Sequence, residues 1–357
     1  MNRFEEKYDI WEYLKNTDKT VVMYGMGNGA DKILNVCAER GIEISAFFAS
    51  DGFVRGHSFH GKRVHSYTEI KNKYGAENII VLLSFASSLP SVMATIRAIS
   101  SECELYAPEV PVCGNLIFDL PFAQKNADKI RRAYELLEGE ESKNIFEKTV
   151  LYKLTGNIEY LFSAESEEER VMTSLICAES IVSYADLGAY NGDTLRMLAK
   201  YAPELARAVA FEPSPKTYKK LSLYAESETR FSITAINAAA WSEDTTLDFG
   251  DEGNRNSGLF ANGKHTEVIA RTLDGVLKGE GVDYIKYDVE GCEREAIAGS
   301  EKTISAYYPR LLVSAYHKSE DIFELPLLIH EKFPKYKLYY RRYPYIPAWD
   351  LNLICIK

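Results

Sequence analysis

"YADLGAYNGDT", residues Tyr184–Thr194, follows directly on the apolar run that begins at Ser180. A strand that ends in a loop with glycine at Gly188 and Gly192 has two readings. One is an ordinary β-to-α turn, where glycine supplies a positive φ that other residues resist. The other is a cradle for a nucleotide cofactor, where a missing side chain lets the backbone approach a ligand. The loop Asp186-Leu187-Gly188-Ala189-Tyr190-Asn191-Gly192-Asp193-Thr194 lacks the Gly-Lys-Ser/Thr of a triphosphate loop. It also misses the dinucleotide pattern, because Tyr190 stands where the second glycine belongs. A cofactor without phosphates fits the spacing better.

The next strands bear on the choice. "ARAVAFEP" ends in Glu212 and Pro213. An acid at the end of the second strand of a doubly wound sheet is placed to accept both ribose hydroxyls. The alternative is a solvated strand-end glutamate. Asn237, Ala238 and Ala239 close the following strand with small residues, leaving space for a flat ring or packing tightly in the core. In "VDYIKYDVEGCEREAIAGS", Lys286, Asp288 and Glu290 alternate on one side of an expected central strand from Tyr284 to Gly291. Charges so placed cost several kcal/mol, by rough burial arguments, unless they are paired or serve a site.

Around this centre the chain reads as α/β. Expected strands at Ser180–Gly188, Arg207–Pro213, Phe231–Trp241, Tyr284–Gly291 and Leu311–Tyr316 alternate with helical patterns, which implies a parallel sheet. "YKLYYRRY" and "LNLICIK" are separated by too short a turn for a crossover helix and must pair antiparallel. A seven-stranded, mostly parallel sheet ending in an antiparallel hairpin is the class I methyltransferase architecture. Residues 165–357 form this unit. Residues 119–164 read as a helical connector whose apolar stripes need a surface to cover, split in two near Glu138–Ser142. Residues 1–118 read as a smaller Rossmann-like unit, opened by a helix around Phe4–Leu14.

With its loop, strand-end acid and charged central strand in place, the C-terminal half resembles the FkbM family of S-adenosylmethionine-dependent O-methyltransferases. "ADLGAYNGDT", "AFEP", "NAAAWSED", "RTLDG", "DYIKYDVEGCEREAIAG" and "SAYHKSEDIFELP" carry the resemblance in family order. It implies S-adenosylmethionine as cofactor, held by Asp186, Gly188, Ala189, Tyr190, Asn191, Gly192, Asp193, Thr194, Glu212, Pro213, Asn237, Ala238 and Ala239. Many members carry a glutamate before the histidine of the fifth strand, where this chain has "SAYH". Which group deprotonates a hydroxyl acceptor is therefore open: His317, at the end of the fifth strand, is either the base or a histidine bonded to a nearby carboxylate, with Asp288 as the alternative base and Glu290 and Lys286 beside them. Asp288 and Glu290 have no clear third ligand, so no metal is expected.

In the first unit, "YGMGNGAD" places Gly25, Gly27 and Gly29 after a strand and at the start of a helix, with Asp51 closing the next strand. That is the context of a dinucleotide fingerprint. "SDGFVRGHSFHGKRVHS" instead resembles the small Rossmann-like domains attached to sugar-modifying acyltransferases, through Asp51, Gly56, Gly61 and Val64. NAD, a sugar nucleotide and a pure docking role all stay open. The acceptor is expected to be a small-molecule hydroxyl, with a nucleotide sugar or saccharide in view, and homo-oligomerisation is left open. The other functional class is a regulatory protein that binds NAD or a sugar nucleotide and whose methyltransferase-like half is inactive.

Bulk properties narrow the classes. The 357 residues carry 42 Lys+Arg against 52 Asp+Glu, a formal charge of −10, which argues against a nucleic-acid or anionic-membrane surface. The first residues carry acids where a signal peptide needs an apolar core, and no apolar run reaches the roughly 20 residues of a membrane span. Cys37, Cys103, Cys113, Cys177, Cys292 and Cys355 include no CxxC pair. A reducing, cytoplasmic setting is expected.

Overall fold

The computed structural model describes residues 9–54, 56–251 and 264–357. Its strands are β1 Thr20–Tyr24, β2 Ala46–Ala49, β3 Ser58–Phe59, β4 Lys62–Ser66, β5 Ile79–Leu83, β6 Glu104–Tyr106, β7 Ser183–Leu187 and β8 Arg207–Phe211. They continue as β9 Ser232–Ile236, β10 Ala239–Ala240, β11 Thr245–Asp251, β12 Lys264–Arg271, β13 Tyr284–Tyr287, β14 Arg310–Ser314, β15 Lys337–Arg342 and β16 Leu351–Ile356.

The first sheet runs β3-β4-β2-β1-β5-β6 and is parallel apart from the β3–β4 edge hairpin. β1 and β5 are buried nearly end to end because helices cover both faces. The helix Asn28–Arg40 stops at Gly41, which adopts the left-handed conformation that glycine tolerates best. The opening helix spans Ile10–Asn16 under an Asp9 cap, and residues 4–8 of the expected helix lie outside the described residues.

The larger sheet has the order β15-β16-β14-β13-β7-β8-β9. β13, β7, β8, β9 and β14 are parallel, and β16 is antiparallel to both β14 and β15. The class I methyltransferase architecture is therefore present, with β13 and β7 central. Several expected boundaries shift; β7, for one, starts at Ser183 after a short helical turn over Ala178–Ser180. The run Phe231–Trp241 divides into β9 and β10, and β10 leaves to join a small sheet with β12 and β11. The run Tyr284–Gly291 is a strand only to Tyr287; Glu290 and Gly291 beyond it have φ of 53° and 87°, which no strand accommodates.

The connector packs as helices. Leu120–Lys125, Ala127–Glu135, Gly139–Thr155 and Glu159–Phe162 succeed one another. Ile130, Ala133, Leu137, Ile145, Phe146, Val150 and Leu154 enter the same core as Leu187, Phe211, Ile285 and Val313 of the larger sheet. Tyr152, Ile158 and Leu161 instead join the core of the first sheet, together with Ile346 and Ala348 from the β15–β16 turn. Backbone bonds between Ser87 and Ile346 (2.9 and 3.0 Å) tie that turn to the loop after β5. Among the described residues no helix is long and apolar enough to cross a membrane.

Candidate functional site

A cleft of about 440 Å³ opens at the C-terminal ends of β7, β8, β13 and β14, where parallel sheets bind ligands. Asp186, on β7, does not line it. The Asp186 carboxylate is buried and accepts from Thr194 Oγ1 at 2.9 Å, with Lys286 Nζ 3.4 Å away. Gly188 follows with φ 92°, and a Cβ there would lie 1.9 Å from the Asp288 carbonyl oxygen. The two central loops thus meet backbone to backbone, which only glycine permits. Gly188→Ala is expected to destabilise the protein by about 1–3 kcal/mol or more from backbone strain and contact. Thermal unfolding checks this, and an unchanged midpoint would remove the close approach.

The rest of the loop divides between cleft and core. Gly188, Tyr190, Asp193 and Thr194 line the cleft. Ala189 is wholly buried in the core. Gly192 packs under the Tyr224 ring, 2.5 Å from where its Cβ would stand. The Asn191 carbonyl accepts from Arg196, and its side-chain oxygen is buried without a hydrogen-bond partner.

Glu212 is nearly buried at the end of β8, beside Pro213 in the cleft wall. Burial pushes its carboxyl up to about 7, against the pull of the Ser214 and Tyr190 backbone N–H groups. Asn237 does not line the cleft; its amide donates to the Glu212 and Pro213 carbonyls at 2.9 and 3.1 Å. Ala238 lies in the core. Of the three expected small residues only Ala239 lines the cleft, followed by Ala240 and Trp241.

The charged centre is a chain of pairs. Lys286 Nζ sits 3.2 Å from Asp288 Oδ2 and donates to the Gly188 carbonyl at 3.2 Å. Burial alone would lower this ammonium, but Asp186 and Asp288 outweigh it and hold it above its ordinary range. Asp288 is held well below the carboxylate range because Lys286 and then His317 overcome its burial. Tyr316, one residue before the histidine, donates to Asp288 Oδ1 at 3.1 Å.

His317 is fully buried after β14. Nδ1 lies 2.9 Å from Glu293 Oε1, and Nε2 lies 3.6 Å from Asp288 and 3.5 Å from Glu290. Burial pulls the imidazole down, yet Glu293, Glu290 and Asp288 together push it up to about 10. Burial raises Glu290 to about 7, opposed by His317 and reinforced by Asp288 and Glu293. Nε2 makes no hydrogen bond although it is buried. A buried polar atom of that kind is rare and calls for a partner. Among the described residues no group of three or more His, Cys, Asp or Glu side chains is disposed to hold a metal ion.

Sequence reasoning missed Glu293, which also accepts from the Val289 and Gly291 N–H groups at 3.1 and 3.4 Å. Its signal was its place three residues after Glu290, at the start of the helix Glu293–Ala298. Missed as well was an aromatic wall in which Trp349 stacks at 27° between Tyr316 and Tyr345, all three lining the cleft.

Residues 186–343 match the family model of the methyltransferase FkbM domain. This part of the chain is similar to FkbM methyltransferase domains. A crystal structure of a methyltransferase FkbM from Methylobacillus flagellatus KT is similar over 95% of this chain and 90% of that one, with TM-score 0.69 and 20% identity. The likeness in fold therefore extends beyond the FkbM domain into the first sheet. Fibrillarin from Aeropyrum pernix in complex with natively bound S-adenosyl-L-methionine covers 50% of this chain and 68% of its own, at TM-score 0.33 and 13% identity. An rRNA methylase from Streptococcus thermophilus covers 51% and 92%, at 0.34 and 15%. Scores that low carry no inference. No curated protein matches the sequence.

The second expected site looks different. Gly25 and Gly29 serve close packing: a Cβ would meet the Phe85 ring at 2.5 Å and the Ser84 carbonyl at 2.3 Å. Gly27, with φ 106°, faces open space. Asp51 accepts from Thr68 Oγ1 and N at 2.6 and 3.2 Å, and these bonds lower its carboxyl. Its carboxylate is thus engaged within the fold.

Proposed function

We propose that the protein transfers a methyl group from S-adenosylmethionine to a hydroxyl of a small molecule. The observation that carries this reading is the buried Nε2 of His317, without a hydrogen bond and aimed between two carboxylates in the cleft. The cleft suits a cationic cofactor, since Glu168, Asp193, Glu212, Asp288, Glu290 and Asp350 line it against Lys286 and His317. Glu212 would take the ribose hydroxyls, Gly188 and Tyr190 the amino-acid part, and Ala239 to Trp241 the adenine. When bound, S-adenosylmethionine supplies an electrophilic sulfonium methyl.

The protein's own task is to hold the acceptor oxygen in line and remove its proton. With the imidazole pushed up to about 10, the role of proton acceptor passes in this proposal from His317 to Glu290, poised near 7. The Nε2–H of the imidazolium then donates to the oxygen as it gains negative charge. Glu293 fixes the ring from the other side. The wall of Tyr316, Trp349 and Tyr345 suits the apolar face of a ring-shaped acceptor, such as a saccharide, beside carboxylates that take its hydroxyls.

Glu212→Ala tests the cofactor half. Hydrogen bonds to a charged group contribute about 1.5–3 kcal/mol each, so affinity for S-adenosylmethionine should fall at least tenfold by calorimetry, with folding intact. In the unaltered protein the affinity should weaken as pH falls through about 7, because protonated Glu212 loses acceptor capacity. Equal affinity in the variant would take Glu212 out of the site.

A further inference from the structure

The candidate base and its partner are held from outside the FkbM domain. After β6 the chain runs from Ala107 to Phe118 and meets the cleft at one residue. Val112 lines the cleft itself. Its carbonyl and that of Pro111 accept from Lys32 Nζ at 2.7 and 3.0 Å, so the helix after the first glycine loop anchors this segment. Ser319 Oγ donates to the Leu116 carbonyl at 2.6 Å and fixes its far end. Between these anchors lies Cys113. Its backbone N–H donates to the His317 carbonyl at 2.9 Å, and its thiol donates to the Glu290 carbonyl at 3.1 Å. One residue of the first unit thus bonds the main chains of both residues whose side chains meet in the cleft.

The second bond falls where it matters. Glu290 stands at φ 53°, a conformation that a residue with a Cβ holds only when its surroundings over-determine it. That conformation places its carboxylate 3.5 Å from His317 Nε2. Packing adds to the constraint, since a Cβ on Gly291 would lie 3.0 Å from the Cys113 Cβ. We propose that Cys113 is a positioning residue for methyl transfer, holding Glu290 in its left-handed conformation and thereby against His317. The first unit then completes the catalytic site, in addition to any ligand it binds. The inference rests on the proposed roles of Glu290 and His317. Burial pushes the Cys113 thiol up to about 12, so it remains a donor across the working pH range.

The charges around the imidazole determine what to measure. Glu293 faces Nδ1, and Asp288 and Glu290 face Nε2. Asp321 lies close enough to feel the ring, and Lys286 acts on Asp288 and Glu290. If Glu290 relaxes out of its left-handed conformation, the imidazole loses one of three anionic neighbours, and its titration midpoint must fall. The test uses the full chain labelled at histidine, with the His317 resonance assigned by its loss in His317→Gln. Cys113→Ala should lower the His317 midpoint by at least about one unit, a shift typical of losing a nearby charge. Cys113→Ser keeps a donor and should restore it.

A midpoint unchanged in folded Cys113→Ala overturns the proposal, as does a serine variant that shifts as far as the alanine one. Should alanine prevent folding, serine decides alone: a midpoint like that of the unaltered protein supports the positioning role, and a lowered one overturns it. Calorimetry with S-adenosylmethionine on the unaltered protein tests the underlying function separately. Absence of binding there would sink the methyltransferase reading while the midpoints still judge Cys113.

Discussion

His317→Gln should lower methyl-transfer turnover by roughly 10²–10⁴-fold, the range for loss of a group that moves or stabilises the transferred proton, while affinity for S-adenosylmethionine stays near normal. The pH profile distinguishes the roles. Glu290 must be deprotonated to accept the acceptor's proton, so activity should rise through about 7. His317 must keep its proton to donate, so activity should fall through about 10. The two limbs belong to the pair, because groups this close titrate together. In the glutamine variant the alkaline limb should vanish. The acid limb should move up, since Glu290 loses the cation that opposes its burial. A variant that keeps most of its turnover and both limbs would make His317 structural, and proton removal would then fall to Asp288 or to positioning alone.

The sequence made the central loops legible because their motifs are local. The glycines, the strand-end Glu212 and the alternation of Lys286 with Asp288 show in short stretches of sequence, whereas what they meet does not: Gly188 abuts the Asp288 carbonyl and Lys286 pairs with Asp186, both far along the chain. The orientation of Glu290 was not legible. Alternation along a strand would have aimed it as Asp288 is aimed, but the strand stops at Tyr287 and a left-handed residue does the aiming. Asn237 and Ala238 illustrate the same limit: composition marked the small residues Asn237–Ala239, of which only Ala239 lines the cleft, where β10 departs into another sheet. Cys113 was read only as one of six cysteines without a CxxC partner. Its two bonds to residues far along the chain leave no periodic trace, and neither does the Lys32 anchor behind it.

The division of the chain into units carries the other large expected effect. A fragment beginning near Ser163 retains every strand of the FkbM domain's sheet, yet it should fail to fold. It lacks Ile130, Leu137, Ile145, Phe146, Val150 and Leu154, all buried in the core against Leu187, Ile285 and Val313. A fully buried aliphatic or aromatic side chain contributes about 1.5–3 kcal/mol, against a net stability of about 5–15 kcal/mol for a whole domain. Removing the connector therefore takes away as much as the fold has to spare and leaves an apolar sheet face in water. A fragment beginning near Asp119 keeps those residues and should unfold cooperatively on heating and bind S-adenosylmethionine. Its methyl transfer should nonetheless be impaired, because the wall at Val112 and the hold of Cys113 on Glu290 go with the first unit. Cooperative unfolding of the shorter fragment at the full-length temperature would show that the connector is an accessory to this core. Full activity in the longer one would show that the FkbM domain aims its own catalytic pair. The result expected here, binding without efficient transfer, would mean that cofactor capture and acceptor chemistry draw on different stretches of the chain.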